Sequence, residues 1–282
     1  MEYRIHPMSE SVYYTGLLLA PETAASVAYQ LGDREESLPG NLIVMIDDYS
    51  AASGTMVSEG VGVNGRDEDE ANVGEAFLAD LVHELLEDDA ALNISSMVFP
   101  FSEMYLQSQQ RQHEAGKKFW SGDRIWAAQT WTGFLYPVNN TADVWNEIMQ
   151  VVADGVSKCS PYLTPDIEFW GGAIHATSNA GVFPHREAVW NVGVLLVIPE
   201  DKENADAVWR EHAAKVEAWW PRVSRYLTGS YVNYPMVSLL ENQTYARAFW
   251  GDNLPRLVSV KQRYDPDNVF NFPMSVPTEV VD

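Results

Sequence analysis

The chain has 282 residues, 46% of them hydrophobic, with 10 Trp, 13 Tyr and 10 Phe; that is apolar mass for one large domain or two small ones and excludes a disordered chain. Its formal net charge of −22, from 40 acidic against 18 basic residues, argues against nucleic acid and anionic membrane as partners, because both need a positive footprint. Cys159 is the single cysteine, so no intrachain disulfide forms, and with no metal-ligand spacing around it the thiol reads as a core residue.

The elements follow in order. Residues 11–20 read as a strand, and Pro21-Glu22 opens a helix to about Leu31. Leu42 to Asp47 and Thr55 to Val63 read as two more strands. Asp67 to Glu70 load the start of an amphipathic helix carrying Val73, Phe77, Leu78, Leu81, Val82 and Leu85. Leu92 to Phe99 is a strand, residues 101–122 are a short helix or loop, and Ile125 to Tyr136 is a strand. Thr141 caps a helix to about Val156. Ile167 to Ala176 and Ala188 to Ile198 are strands, and a helix from Asp201 to Trp220 is stopped by Pro221. The predicted fold class is α+β, a large mainly antiparallel sheet with helices packed on one face. No apolar run is long enough to span a membrane, and residues 1–20 lack the pattern of a signal peptide. The reading is a soluble chain of unknown compartment. Sequons at Asn93, Asn139 and Asn242 matter only if it is secreted.

The closing stretch carries the densest signal. Asn253 is placed to cap a helix and Pro255 sits in its first turn, where a missing N–H costs nothing. Leu254, Leu257, Val258, Lys261 and Tyr264 fall at helical spacing, with Leu257 and Val258 expected to be buried. Asp265-Pro266-Asp267-Asn268 turns the chain, and Val269-Phe270-Asn271-Phe272 reads as a short apolar anchor.

This order resembles the C-terminal segment of the berberine-bridge-enzyme-like, FAD-linked oxidoreductases of the vanillyl-alcohol-oxidase superfamily. The matching positions are Tyr231, Asn233, Tyr234, Gly251, Asn253, Arg256, Leu257, Lys261, Tyr264, Asp265, Pro266, Asn268 and Phe270. Met274 stands where the family has Gln, and Phe119-Trp120-Ser121 lacks the family's Lys. Upstream, Trp170 to Ala173 and Phe183 to Arg186 look like the family's Gly-Gly and Phe-Pro-His-Arg pair, and Tyr3 to Pro7 looks like its crossover into the substrate domain. The resemblance implies residues 1–225 as a substrate-binding domain and residues 226–282 as a C-terminal segment that normally packs against an FAD domain. FAD is then the family's cofactor, with its main binding domain absent from this chain. The implied partners are a small-molecule substrate and either an FAD-domain polypeptide or a homo-oligomer.

Candidate site residues come from both lines. Alternation along 168–175 puts Glu168 and Trp170 on one face and Phe169 and His175 on the other. Either Glu168 or His175 is a candidate general base, depending on which face looks inward. The plainer alternative is a sheet residue bonded to its neighbours. Tyr231 and Asn233 lie two apart on a segment expected to be extended, so they point the same way. The resemblance puts Tyr231, with Trp170, at the substrate and Asn233 at the flavin. A phenol can also exchange a proton, which makes Tyr231 a catalytic candidate. His185 and Arg186 match a family pair expected to be structural, with Arg186 paired to Glu187. His83 and Glu87 have chelating spacing, but two ligands do not make a metal site. Gly60 to Gly65 is a literal G-x-G-x-x-G, and the four acids after it oppose an anionic dinucleotide. Two functional readings result. One is the substrate-binding part of an oxidoreductase acting on an alcohol, sugar or alkaloid-like molecule, with FAD held elsewhere. The other is a flavin-free binding protein or cofactor-independent cyclase or isomerase.

Overall fold

The structure is a computed structural model, and it describes residues 11–35, 38, 44–46, 48–50, 55–58, 64–65, 80, 83, 91–100, 125–176, 181–199 and 203–280. Strands β1 (Ser11–Leu19), β2 (Met45–Ile46), β3 (Asp48–Ser50), β4 (Thr55–Ser58), β5 (Asn64–Gly65) and β6 (Ala91–Pro100) precede β7 (Ile125–Leu135), β8 (Leu163–Phe169) and β9 (Trp190–Pro199). Helices α1 (Pro21–Asp33), α2 (Ala142–Lys158), α3 (Ala173–Ala176), α4 (Ala205–Trp219) and α5 (Pro221–Ser224) interleave with them. Three more close the chain: α6 (Val237–Glu241), α7 (Tyr245–Trp250) and α8 (Leu254–Tyr264).

The strands form two antiparallel sheets. One has five strands in the order β3-β4-β1-β5, with β6 also pairing along β1, and the other runs β2-β8-β9-β7. The α+β class expected from the pattern is therefore the observed one. In the second sheet the two faces separate by strict alternation. Trp190, Val192, Val194, Leu196 and Ile198 of β9 face the helices, as do Leu163, Ile167 and Phe169 of β8 and Trp131 and Leu135 of β7. Trp145, Ile148, Met149 and Val152 of α2, Leu31 of α1, and Val216 and Trp219 of α4 complete that core. A buried aromatic or aliphatic side chain of this kind contributes roughly 1.5–3 kcal/mol, so the helix face carries most of the stability. The opposite face is left to other work.

Several helix ends follow their sequence signals. Pro21 opens α1, and the Thr141 hydroxyl accepts from the Val144 N–H at 3.3 Å at the start of α2. The helix before Pro221 ends at Trp219, as its sequence signal predicts, although a second short helix follows at once. Trp220 keeps helical dihedrals and Pro221 takes the first position of α5, where a missing N–H is harmless. The strand read from Ile167 to Ala176 is also shorter. It ends at Phe169, Gly172 turns the chain with φ +63°, and 173–176 form one helical turn.

The closing segment has its own apolar cluster of Ala246, Phe249, Trp250, Leu254, Val258 and Met274. Val258 is buried as expected, but Leu257 is only half-buried and Leu254 takes the interior position instead. Asn253 does not cap α8; its side-chain amide donates to the Val182 carbonyl at 3.0 Å. Past the helix, the Asp265 carboxylate accepts from the N–H groups of Val269 and Phe270 and pairs with the buried Lys261 ammonium. This locks the Asp-Pro-Asp-Asn turn, where Asn268 sits at φ +52°. The run after it is not an internal anchor. Val269, Phe270 and Phe272 are 75%, 78% and 65% exposed. Phe119 to Ser121, Tyr3 to Pro7, Glu87, the glycines from Gly60 to Gly62 and the helix expected over 67–85, save Asp80 and His83, lie outside the described residues.

Candidate functional site

The free face of the four-stranded sheet is built in rows. Register places Phe134, Asn191 and Glu168 side by side across β7, β9 and β8. The next row is Thr132, Gly193 and Asp166. Alternation sends all of these away from the helix core, because their neighbours Trp190, Val192, Ile167 and Phe169 point into it.

The turn after α5 closes over this face. Thr228 exchanges two backbone hydrogen bonds with Phe134, at 2.9 and 3.0 Å, and Ser230 N–H donates to Ala248 at 3.1 Å. Gly229 has φ +67°, and a Cβ there would lie 2.3 Å from His185 Cε1. Only glycine fits such a contact at that dihedral. His185 fills the space beneath. It stacks on Phe134 at 4.4 Å, and its Nε2 donates to the Ala248 carbonyl at 2.9 Å. Nδ1 is then the acceptor for the Tyr136 hydroxyl at 2.9 Å. Burial holds the imidazole below its ordinary pKa, which suits this neutral tautomer. His185 is thus a structural brace, as expected. Arg186 lies over the Phe183 ring at 5.3 Å and reaches the Ile174 carbonyl at 3.5 Å.

Residues 231–234 form a turn, closed by a 2.9 Å bond from Tyr234 N–H to the Tyr231 carbonyl, rather than the extended segment expected. The turn still brings the two candidates together: the Asn233 amide donates to the Tyr231 hydroxyl at 2.7 Å. The Tyr231 ring meets Trp170 at 4.8 Å, Tyr234 at 5.2 Å and Phe183 at 6.2 Å. Glu168 is the polar centre. Its Oε2 accepts from Trp170 Nε1 at 3.1 Å and Asn191 Nδ2 at 2.9 Å, and its Oε1 accepts from the Tyr234 hydroxyl at 3.0 Å. Burial and then the Glu168 charge push the Tyr234 phenol well above its ordinary range. Burial and Glu168 also raise the Asp166 carboxyl to about 7.

Of the residues singled out in the sequence, Glu168, Trp170, Tyr231 and Asn233 lie together here. His175 does not join them: in its helical turn it approaches Glu35 at 3.4 Å, at the end of α1. The strand ending at Phe169 is the reason, since the two-residue alternation that put His175 opposite Glu168 stops there. Asp166, Asn191 and Phe134 were not singled out, and Tyr234 was named only as a match to the family pattern. Asp166 stands one alternation step before Glu168 and was findable; Asn191 and Phe134 depend on cross-strand register, which no local pattern carries. Among the described residues, no group of three or more His, Cys, Asp or Glu could hold a metal ion. A shallow depression of about 530 Å³, lined by Tyr245, Asn268, Asn271 and Phe272 among others, contains none of the candidates.

Fold and face together define an antiparallel sheet with helices behind and an aromatic and carboxylate surface in front. Residues 230–277 match the family model described as Berberine and berberine like. The chain is 30% identical to berberine bridge enzyme-like 12 of Arabidopsis thaliana over 121 residues, 39% of this chain and 23% of that protein. It is 39% identical over 64 residues to the uncharacterized FAD-linked oxidoreductase YvdP of Bacillus subtilis, 23% of this chain and 14% of that one. Its fold superposes on a chitooligosaccharide oxidase with a TM-score of 0.70 at 17% identity, over 97% of this chain and 56% of that one. Berberine bridge enzyme from Eschscholzia californica superposes with a TM-score of 0.65 at 17% identity, over 95% of this chain and 55% of that one. The resemblance read from the sequence is therefore borne out: the relatives are berberine-bridge-enzyme-like, FAD-linked oxidoreductases, and the fold is theirs. The chain spans about half the length of these solved relatives and 23% of the Arabidopsis protein.

Proposed function

We propose that this chain is the substrate-binding part of an FAD-linked oxidoreductase that oxidises an alcohol, sugar or alkaloid-like small molecule. The observation that carries this reading is the convergence of Glu168, Trp170, Tyr231, Asn233 and Tyr234 on the sheet face turned away from the helix core. That convergence is what an orienting site needs: rings to hold an apolar body and fixed polar groups to set its direction. The residues present fit the edge of a flavin ring. Asn233 is exposed, and with its amide N–H held by Tyr231 its carbonyl oxygen is left to accept from a ring N–H. FAD, when bound, supplies the acceptor for a hydride from a substrate C–H bond. The chain's own share is binding, orientation and proton handling, with Tyr231 and Glu168 lining the place and Trp170 holding the substrate. The main cradle for the cofactor lies, in this reading, on another segment or polypeptide.

That FAD-bearing part docks on the exposed run Val269 to Phe272, which is apolar and follows the berberine-type helix. The length by which solved relatives exceed this chain is room enough for it. The test is the absorbance spectrum of the purified chain, alone and with FAD. The chain alone is expected to come through purification colourless, and co-expression with an FAD-bearing relative's missing half to yield a yellow complex. One equivalent of flavin on the isolated chain would refute the split. Failure of every such half to form a flavin complex would favour the flavin-free reading.

A further inference from the structure

We propose that His185 is an acid-released catch: as a neutral imidazole it holds the 228–234 turn in place, and on protonation it lets the turn go. The turn carries Tyr231, Asn233 and Tyr234, so the proposal rests on the reading of that turn as part of the site.

The first observation is a ring committed at both nitrogens. The Ala248 carbonyl only accepts, so the 2.9 Å contact puts the ring proton on Nε2. Nδ1 keeps its lone pair, and the Tyr136 hydroxyl donates to it at 2.9 Å. Burial and then the Glu187 charge hold the Tyr136 phenol above its ordinary range, so that donor keeps its proton. A second ring proton on Nδ1 would meet the phenol's own hydrogen, and the phenol would have to reverse its bond.

The second is the lack of a counter-charge. His185 is 5% exposed, with Phe134 stacked on it at 4.4 Å and Phe183 at 5.7 Å. The titratable and charged groups around it are Arg186 and Glu187 next in the chain, Tyr136 just past β7, Tyr231 in the turn and Arg247 on α7. Glu168 stands across Asn191 in the row of Phe134, and its carboxylate is taken by Trp170, Asn191 and Tyr234. Among the described residues no carboxylate hydrogen-bonds to the imidazole, whose two partners are a phenol and a carbonyl. An imidazolium there is a buried charge without an anion beside it. Burial accordingly holds the ring below its ordinary pKa.

The third is mechanical. Gly229 lies so close over the ring that a Cβ would stand 2.3 Å from Cε1 and 2.4 Å from Nε2. The ring cannot leave on that side without lifting the turn. The Ala248 carbonyl also receives the Ser230 N–H at 3.1 Å, so ring and turn share one acceptor. The next ties to the sheet are long: Tyr231 N–H lies 3.4 Å, and the Ser230 hydroxyl 3.3 Å, from the Thr132 hydroxyl.

The direction follows from the depressed pKa. A released or unfolded ring takes its proton before the buried one does, so the catch holds at neutral pH and opens as the pH falls through the folded value. The Asp166 carboxyl titrates on the neighbouring sheet face, at about 7, and is removed as a second cause by Asp166→Asn.

The experiment is nuclear magnetic resonance of the flavin-free full chain, with labelled histidine and labelled backbone amides, from pH 8 to pH 5, in the parent and in Asp166→Asn. The His185 ring signal, assigned by its loss in His185→Gln, and the amides of Gly229 to Tyr234 are expected to move together with one midpoint in both proteins. Tyr136→Phe removes the donor that favours the neutral ring and should raise both midpoints together, by about half a pH unit or more. His185→Gln, which can donate to Ala248 but takes no proton, should keep the turn's pH 8 pattern down to pH 5. Turn amides that stay still while His185 titrates would overturn the proposal. So would a response that vanishes in Asp166→Asn, or a ring that stays neutral until the whole chain unfolds. If His185→Gln does not fold, the joint midpoint in the parent and its shift in Tyr136→Phe decide. None of these signals involves flavin or a substrate, so the absorbance test decides the wider reading separately.

Discussion

Two carboxylates one alternation step apart on β8 behave differently because their neighbours differ. Glu168 is held by three donors, and it works as an anchor for the turn and for Asn191. Tyr234→Phe removes one of these bonds and should cost about 1–2 kcal/mol in a urea melt, a little less than a typical hydrogen bond to a charged group because Tyr234 is partly solvated. Asp166 has no such support, and its raised pKa makes it a source of instability. The unfolded carboxyl ionises near its ordinary value while the folded one stays protonated to about 7. Between those values the folded state holds the extra proton, so stability falls as the pH rises and levels off above about 7. Asp166→Asn should therefore match the parent near pH 4 and exceed it at pH 8, by on the order of 1–2 kcal/mol once solvent screening is allowed for. A variant that is less stable at pH 8 would show that the carboxylate is supported after all.

At the scale of elements, α8 and the turn that ends it act as one unit. Leu254 and Val258 are one helical turn apart and enter the same small cluster with Phe249 and Trp250. Val258→Ala should cost roughly 1–3 kcal/mol, below the range for larger buried side chains, read as a shift in urea midpoint without a change in slope. Loss below half a kcal/mol would mean that the cluster does not carry the helix. The half-buried Leu257 is a poorer probe than its sequence spacing suggested, because its face of the helix turns partly to solvent. The same unit sets the site at a distance. Ala248, on α7 in that cluster, accepts from both Ser230 and His185, and these place the Tyr231 turn.

At the scale of the molecule, the apolar run after α8 stands exposed among the described residues. Phe270 is exposed and supports no core cluster, so Phe270→Ser should change the urea stability of the isolated chain by less than about half a kcal/mol. The same substitution should weaken assembly with an FAD-bearing partner at least tenfold in a pull-down titration. A large loss of stability with assembly intact would place Phe270 in the chain's own fold instead. The net charge of −22 keeps the isolated chain dispersed.

What the sequence determined by itself was local. The capped helix at Thr141, Pro21 opening α1, the alternating strands and the turn at Asp265 each follow from residues within one or two turns of one another. The tight grouping of Tyr231 with Asn233 was also legible, although a turn and not an extended strand produces it. Tertiary structure alone decided the rest. Whether Glu168 or His175 faced the site depended on where β8 ended, and a Gly-Gly turn ended it early. Which residues stood beside Glu168 depended on the register of β7, β8 and β9, which pairs Glu168 with Asn191 and Asn191 with Phe134, positions far apart in the chain. Register is set by burying one whole face of each strand against the helices at once. That condition belongs to no single stretch of the chain, so Asn191 and Phe134 became part of the site only when the sheet closed.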